Sequence, residues 1–387
     1  MTKNVAQVIA QAIYDSGASI VTSVPGFGCT QIFDTFRAIS LRDAPNSFHE
    51  EVAYSIAHGA SIVGQRSATL IKAHGLAKAA NSVIDSLAAG TTAGFVVLVP
   101  DDKRGKHSDS IFDVAAFLQG IRIPFRMLQV QDIHQQVQDA FAQSESLQLP
   151  VALLVDSDDL DQAGTYNPVE CRIPLPKCQR DVTQHVLCPL LAEYQHRVLD
   201  AKLSGENWRE LSKPALPIVP YTLPPEWQPA AKLYAPLFAV FQDLRGETVT
   251  GDTGVSTLFA FPPYSCIDIC TYMGGSIPLA IGAYLAGYRD TWAITGDFSF
   301  IAAGHLGLVE PIQRNIALKV LVMYNAKAET TGGQPILRGT LEYVLSGYER
   351  YVRHIRDPQD AAEIKSVLEE ANQAREMRIV VADYCLQ

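Results

Sequence analysis

The sequence has no basic cluster, no long apolar run and no cysteine framework, and each absence removes a class of function. Lys and Arg total 31 against 41 Asp and Glu, a formal net charge of -10. No stretch has the density of positive charge that neutralising a phosphate backbone requires, so nucleic acid is not an expected partner. No run reaches the roughly 18 consecutive apolar residues of a membrane span, and no membrane association is expected. The polar start Met1-Thr2-Lys3-Asn4 leads into a helical pattern and not into a signal-peptide core, which makes the cytoplasm the expected compartment.

The 7 cysteines are odd in number and follow no framework spacing, so structural disulfides are not expected. Cys266 and Cys270 flank three residues but have neither a second pair nor a histidine nearby. Buried thiols packing as small hydrophobes are the simpler reading of that pair. The run of closely spaced cysteines that holds a ferredoxin-type iron–sulfur cluster is missing altogether.

What is present is 48% hydrophobic content in 387 residues, enough for a sizeable core and for two or three domains. Short β-rich runs at residues 18–24, 67–73, 94–100 and 150–156 alternate with amphipathic segments of helix length, the pattern of βαβ units on a parallel sheet. The rhythm returns at residues 248–250, 291–295, 316–324 and 377–383. The expected organisation is a first α/β domain over residues 1–157, a connector over 158–230 and a second α/β domain over 231–387. Pro174, Pro176, Pro214, Pro217, Pro220, Pro224, Pro225 and Pro229 interrupt the connector too often for a sheet, leaving one expected helix near residues 183–203.

In the second domain the apolar strand Thr291-Trp292-Ala293-Ile294-Thr295 ends at Gly296-Asp297, where a ligand-facing turn is expected. A second apolar strand ends at Asn325, 28 positions on (325 − 297), which leaves room for one crossover helix between neighbouring strands. A carboxylate and an amide carbonyl at adjacent strand ends suit a hard cation such as Mg²⁺ that keeps sites for water and diphosphate oxygens. An N-cap Asp and a turn Asn would leave the same trace in sequence.

Gly296-Asp297 followed after one crossover by Asn325 resembles the cofactor motif of thiamine-diphosphate enzymes. Upstream, Met273-Gly274-Gly275-Ser276-Ile277-Pro278-Leu279-Ala280-Ile281-Gly282-Ala283 is similar to that family's M-G-x-x-x-P-x-A-I-G-A segment. Its glycines let backbone approach a cofactor, and a helix N-terminus can meet a diphosphate. The resemblance implies two flavodoxin-like parallel-sheet domains, pyrimidine-binding then diphosphate-binding. It implies metal ligation by Asp297, Asn325 and the backbone carbonyl of Lys327, and a role for Met273 as the apolar prop under a bent cofactor; a core Met is the alternative. The implied cofactor-binding set also includes Gly251, Asp252, Thr253, Gly274, Gly275, Ser276, Gly296, Phe298, Ser299 and Thr331.

In the first domain, Phe48-His49-Glu50-Glu51-Val52-Ala53 followed by Gly59 resembles the family's H-E-x-x-A segment, with Glu50 nine residues before the glycine (59 − 50). The resemblance makes Glu50 the acid that shares a proton with the cofactor's ring nitrogen. Adjacent glutamates at a helix start also compensate the helix dipole. Val24-Pro25-Gly26-Phe27-Gly28 is similar to the family's P-G-G loop, which adds Pro25 and Gly26 to the expected cofactor contacts. His49, His74 and His107 lie on matched loops and are candidates for proton transfer or for holding a substrate carboxylate, although a lone histidine is often only a hydrogen-bonded structural residue. Gln334 is a further candidate contact.

Residues 51–61, Lys72-Ala73-His74-Gly75-Leu76, Asp101-Asp102 with His107-Ser108, and Gly251-Asp252-Thr253-Gly254 resemble the large subunit of indolepyruvate ferredoxin oxidoreductase. Thr330-Thr331-Gly332-Gly333-Gln334-Pro335 resembles that subunit and also phosphonopyruvate and sulfopyruvate decarboxylases. Two departures stand out: Phe298 follows the Asp, and Tyr324 replaces the first Asn of the usual pair. The short two-domain length favours non-oxidative decarboxylation of a 2-oxo acid with thiamine diphosphate and Mg²⁺. An oxidoreductase subunit that needs a separate electron-transfer partner, and a non-catalytic binder of the cofactor, are the alternatives. The family implies a homodimer or dimer of dimers with active sites at the interface, one subunit supplying Glu50 and another Asp297.

Overall fold

Strands buried on both faces position the functional loops. The computed structural model describes residues 3–42, 44–166 and 179–385. Pro174, Pro176, Cys171 and Cys178 lie outside the described residues, as do Met1 and Thr2. The chain divides into a first unit, Met1–Gln179 with Leu199–Glu206, and a second, Arg180–Val198 with Asn207–Gln387.

The first unit contains β1 (Lys3–Asn4), β2 (Ile20–Ser23), β3 (Ser67–Leu70), β4 (Phe95–Asp101), β5 (Phe125–Met127), β6 (Val151–Asp156) and β7 (Ala163–Gly164). A five-stranded sheet runs in the order β2-β3-β4-β6-β5 with every neighbouring pair parallel. β1 and β7 form a separate antiparallel ribbon. The central strand β4 is buried at every position because helices cover both faces. Its side chains alternate as a strand requires. Val96 and Leu98 enter a core with Ile9, Phe33 and Val137, whereas Phe95, Val97 and Val99 enter another with Tyr54, Val83 and Leu118.

The second unit contains β8 (Thr248–Gly251), β9 (Ile269–Cys270), β10 (Thr291–Gly296), β11 (Lys319–Tyr324), β12 (Lys327–Ala328), β13 (Gln334–Pro335), β14 (Val352–Ile355) and β15 (Arg378–Asp383). Its six-stranded sheet has the order β14-β15-β11-β10-β8-β9 and is parallel throughout. Trp292 and Ile294 of β10 pack with Phe238 and Phe241 of the helix Gln228–Phe241. The helix Ser276–Leu285 is buried through its first eight residues, and Thr250 Oγ1 donates to its Ser276 carbonyl at 2.6 Å. After β8 the chain adds β9 on one side and then β10 on the other. The order therefore reverses at β8 and β10, and their C-terminal ends open a crevice of the kind in which α/β sheets bind ligands.

Both sheets are the parallel α/β layers the alternation predicts; seven of the eight expected strands form their interiors, and the eighth, β2, is an edge of the first sheet. Three further strands, β5, β9 and β14, lie at sheet edges. The expected single helix near residues 183–203 is instead two, Val182–His185 and Ala192–Ser204. Between them Val186 bridges to Cys270 and the Leu187 N–H donates to the Cys270 carbonyl at 2.8 Å, while Pro189 cannot continue a helix. The five described cysteines are free. Among the described residues no three His, Cys, Asp or Glu side chains group as a metal site, and no helix is long and apolar enough to cross a membrane.

Candidate active site

The crevice at the C-terminal ends of β8, β10 and β11 gathers Thr253, Met273, Gly296, Asp297, Phe298, Ser299, Asn325, Lys327 and Thr331 around one cavity. β10 and β11 are adjacent, with Gly296 in register with Met323, so Asp297 and Asn325 follow neighbouring strand ends. The Asp297 carboxylate accepts N–H groups from Phe298 at 2.8 Å, Asn325 at 3.2 Å and Ala326 at 2.6 Å. Those bonds tie the two strand ends together. Burial pushes the Asp297 carboxyl up to about 6, against the lowering effect of these backbone donors.

Asn325 is held by two groups that no motif singles out. Its Nδ2 donates to the Tyr234 hydroxyl at 2.7 Å and to Glu329 Oε2 at 3.0 Å. With the amide nitrogen so engaged, Oδ1 is directed the other way and accepts from the Lys327 N–H at 3.1 Å. Lys327 Nζ pairs with Glu329 at 2.9 Å. Burial pushes the Tyr234 hydroxyl well above its ordinary range, so it stays protonated. Tyr234 sits on the helix Gln228–Phe241, 91 residues before its partner, and no local pattern signals that approach.

Of the other expected contacts, Asp252 lies beneath the cavity and does not line it. It is 1% exposed, accepts from the Ser276 N–H at 2.7 Å and from the Thr295 hydroxyl, and so joins the loop after β8, the end of β10 and the start of the helix Ser276–Leu285. Gly274 adopts φ +95°, and a Cβ there would stand 2.6 Å from Ala303 Cβ, which excludes other residues on both counts. Gly251, Gly275 and Ser276 are likewise buried under the crevice. Met273 and Phe298 are 40% and 42% exposed, which removes both from the core. Gln334 pairs with Thr331 through its side chain at 3.0 Å.

In the first unit the expected residues collect after β2, β3 and β4. Glu50 opens the helix Glu50–Ile62, and its Oε2 lies 2.9 Å from Lys78 Nζ in an ion pair without hydrogen-bond alignment. Its side chain lies over Gly75, where a Cβ would stand 2.7 Å from Glu50 Cγ. Glu51 points elsewhere, within 3.5 Å of Asn81 Nδ2, and burial raises its carboxyl above the usual range. His49 caps the same helix with a buried Nδ1 that has no hydrogen-bond partner; burial, then Lys78, lowers its pKa. The exposed Pro25 lies in the loop after β2, and Gly26 in it packs on the Lys72 stem. His74 Nε2 meets Ser110 Oγ at 2.8 Å, and the His107 ring stacks on Phe27 with centroids 3.8 Å apart.

Residues 251–380 match the family described as thiamine pyrophosphate enzyme, C-terminal TPP binding domain. This part of the chain is similar to the thiamine-diphosphate-binding domain of that family. The match encloses Asp297, Asn325 and Met273, and the resemblance read from their motifs stands on it. Indolepyruvate oxidoreductase subunit IorA of Methanothermobacter thermautotrophicus is 30% identical over 155 residues, 38% of this chain and 25% of that protein. The subunit of the same name from Pyrococcus abyssi is 30% identical over 143 residues, 36% of this chain and 22% of its own length. The aligned part thus spans about a quarter of these relatives.

Among solved structures, the thiamine diphosphate-dependent 4-hydroxybenzoylformate decarboxylase of Rhodococcus jostii RHA1 superposes with a TM-score of 0.64 at 15% identity, covering 98% of each chain. Benzoylformate decarboxylase of Polynucleobacter necessarius gives 0.62 at 12% identity, again over 98% of each. At such identities the likeness is one of fold, that of thiamine-diphosphate-dependent decarboxylases.

Proposed function

We propose that the chain binds thiamine diphosphate through Mg²⁺ and catalyses non-oxidative decarboxylation of a 2-oxo acid. The observation that carries the reading is the Asp297–Asn325 pair, two oxygen donors on one cavity with the amide oriented by Tyr234 and Glu329. This donor set fits a hard cation and not a soft one. In the reading, Asp297, Asn325 Oδ1 and the Lys327 carbonyl would hold the metal, which would supply positive charge to the diphosphate. Gly296, Ser299 and Thr253, which line the same cavity, would receive that group, and Met273 would be the apolar wedge. Bound thiamine diphosphate supplies a nucleophilic carbon for the 2-oxo carbonyl and an electron sink for the bond released as CO₂.

Glu50 holds the proton exchanged with the cofactor's ring nitrogen, and Gly75 gives its carboxylate room to lie in place. His49, His74 and His107 are the nearby groups of the first unit able to move a proton or hold the substrate carboxylate. The protein acts as a homodimer or dimer of dimers in the cytoplasm. The IorA likeness supports a second reading, an oxidoreductase subunit that passes electrons to a separate partner.

Purified protein mixed with Mg²⁺, thiamine diphosphate and a panel of 2-oxo acids, with and without a dye acceptor, tests both. Acceptor-independent CO₂ supports the decarboxylase, and acceptor-dependent CO₂ the oxidoreductase. No CO₂ from any acid under either condition would leave a binding protein without turnover.

A further inference from the structure

A cavity of about 480 Å³ lies in the first unit at the C-terminal ends of β4, β6 and β5, and no residue of the expected cofactor set lines it. Its size lies within the range of small-molecule sites. β4 and β6 are adjacent, with Asp101 in register with Asp156, but the chain leaves them towards opposite faces of the sheet. After β4 it runs to the helix Val114–Gly120, whose Val114 and Leu118 enter the core with Tyr54; after β6 it puts Leu160 into the core with Ile9. Loops that part in this way leave a crevice between the strand ends, where parallel sheets bind ligands.

Asp101 ends β4 and lines this cavity at 6% exposure, and among the described residues no group donates a hydrogen bond to its carboxylate. Burial raises its carboxyl above the usual range, against the lowering effect of Lys103, and the carboxylates of Asp156, Asp102 and Asp113 raise it further. Lys103 also lines the cavity, but its Nζ lies 3.7 Å from Asp156; Asp113 accepts the Ala116 N–H at 2.9 Å as the cap of its helix. The charge left over is negative. A buried carboxylate without a donor costs free energy that a hydrogen-bonded cation offsets. Among the described residues no three His, Cys, Asp or Glu side chains group as a metal site, so an organic cation fits better than a metal ion. The rest of the wall is apolar, and its Ile111 and Met127 are 58% and 45% exposed, uncovered surface beside the carboxylate. We propose that this cavity is a second binding site, for a primary ammonium that carries an apolar body, with Asp101 accepting the ammonium and Ile111 and Met127 covering the body.

The test is calorimetric titration of the whole chain, with Mg²⁺ and thiamine diphosphate present, at about pH 8, well above the carboxylate range. The probes are 2-phenylethylamine, 2-phenylethanol and 3-phenylpropionate, one body with a cationic, a neutral and an anionic head. The amine is expected to bind about tenfold or more tighter than the alcohol, the scale of a charge-assisted hydrogen bond, and the acid most weakly. Asp101→Asn keeps the shape and removes the charge, and should bring amine and alcohol within about threefold of each other. Met127→Ala, at a half-exposed position that the fold does not depend on, should weaken amine and alcohol alike by about threefold or more and leave the preference in place. An amine no tighter than the alcohol overturns the proposal, as does unchanged amine affinity in Asp101→Asn with a native circular dichroism spectrum, or in Met127→Ala. The probe series and Met127→Ala decide the matter even where Asp101→Asn does not fold. Binding of none of the three probes overturns it and leaves a hydrated carboxylate. Loss of self-association in Asp101→Asn, with no amine bound by the unaltered protein, overturns it in favour of a second copy of the chain.

Discussion

Asn325 donates its amide N–H to the Tyr234 hydroxyl at 2.7 Å, and this bond, with a second to Glu329, turns the amide oxygen, which accepts the Lys327 N–H, to the side where it would meet the proposed metal. Groups behind a metal ligand commonly change affinity 10- to 100-fold when removed. Tyr234→Phe keeps the ring that packs edge-on against Tyr384 at 4.4 Å and deletes only the hydroxyl. We expect Mg²⁺-dependent affinity for thiamine diphosphate to fall about tenfold, with the circular dichroism spectrum unchanged. Unaltered affinity would show that Glu329 alone orients the amide.

Asp297→Ala removes the carboxylate at the heart of the cavity and the acceptor of three backbone N–H groups. Calorimetry is expected to show that added Mg²⁺ no longer strengthens thiamine diphosphate binding, because the diphosphate loses its bridging cation. A Mg²⁺ effect equal to that of the unaltered protein would remove Asp297 from the metal site.

Asp252 provides a pH signature. Burial raises its carboxyl from 3.8 to about 6, although Thr295 and Ser276 donate to it. Because the folded-state value is the higher one, the contribution to stability is full below about 3.8 and is lost as pH rises through about 6. The size is on the order of 3 kcal/mol at 1.36 kcal/mol per pKa unit. Urea unfolding followed by tryptophan fluorescence between pH 4 and pH 7 should show the stability of the unaltered protein falling relative to Asp252→Asn. Parallel profiles would mean that the buried carboxyl does not titrate in this range.

The parallel architecture and most of the second-unit site were legible in the sequence because both depend on short-range patterns. Strands such as Phe95–Asp101 are buried on two faces and read as continuous apolar runs. β5, β9 and β14 escaped because they are edge strands of three, two and four residues, and the first and last are partly exposed. Pro189 was a visible reason to divide the connector helix. Tyr234 was not legible as a support of Asn325, since a contact across 91 residues arises from helix packing and leaves no spacing to detect; Glu329, four residues on, meets Asn325 through the turn that follows β11. The burial of Asp252 was hidden for the same reason, because its two partners come from separate elements.

Gly75 tests the placement of Glu50 without changing its chemistry. In Gly75→Ala the new Cβ would stand 2.7 Å from Glu50 Cγ and 3.2 Å from Oε1, so the carboxylate must move. A displacement of about 1 Å at a catalytic group can cost roughly 100-fold in rate. We expect a loss of that order in CO₂ release, with thiamine diphosphate affinity within a few-fold. Full activity would mean that the observed Glu50 position is not the working one.

Exchange of the thiamine diphosphate C2 proton for deuterium, compared among the unaltered protein, Glu50→Gln and Glu51→Gln, tests the central claim most directly. Gln is nearly isosteric with Glu but cannot share an acidic proton with the ring nitrogen, so the effect should fall on exchange and not on cofactor affinity. The account predicts exchange slowed by orders of magnitude in Glu50→Gln, with cofactor still bound, and a far milder change in Glu51→Gln, whose side chain lies beside Asn81. Slowing in Glu51→Gln alone, or in neither variant, would contradict it.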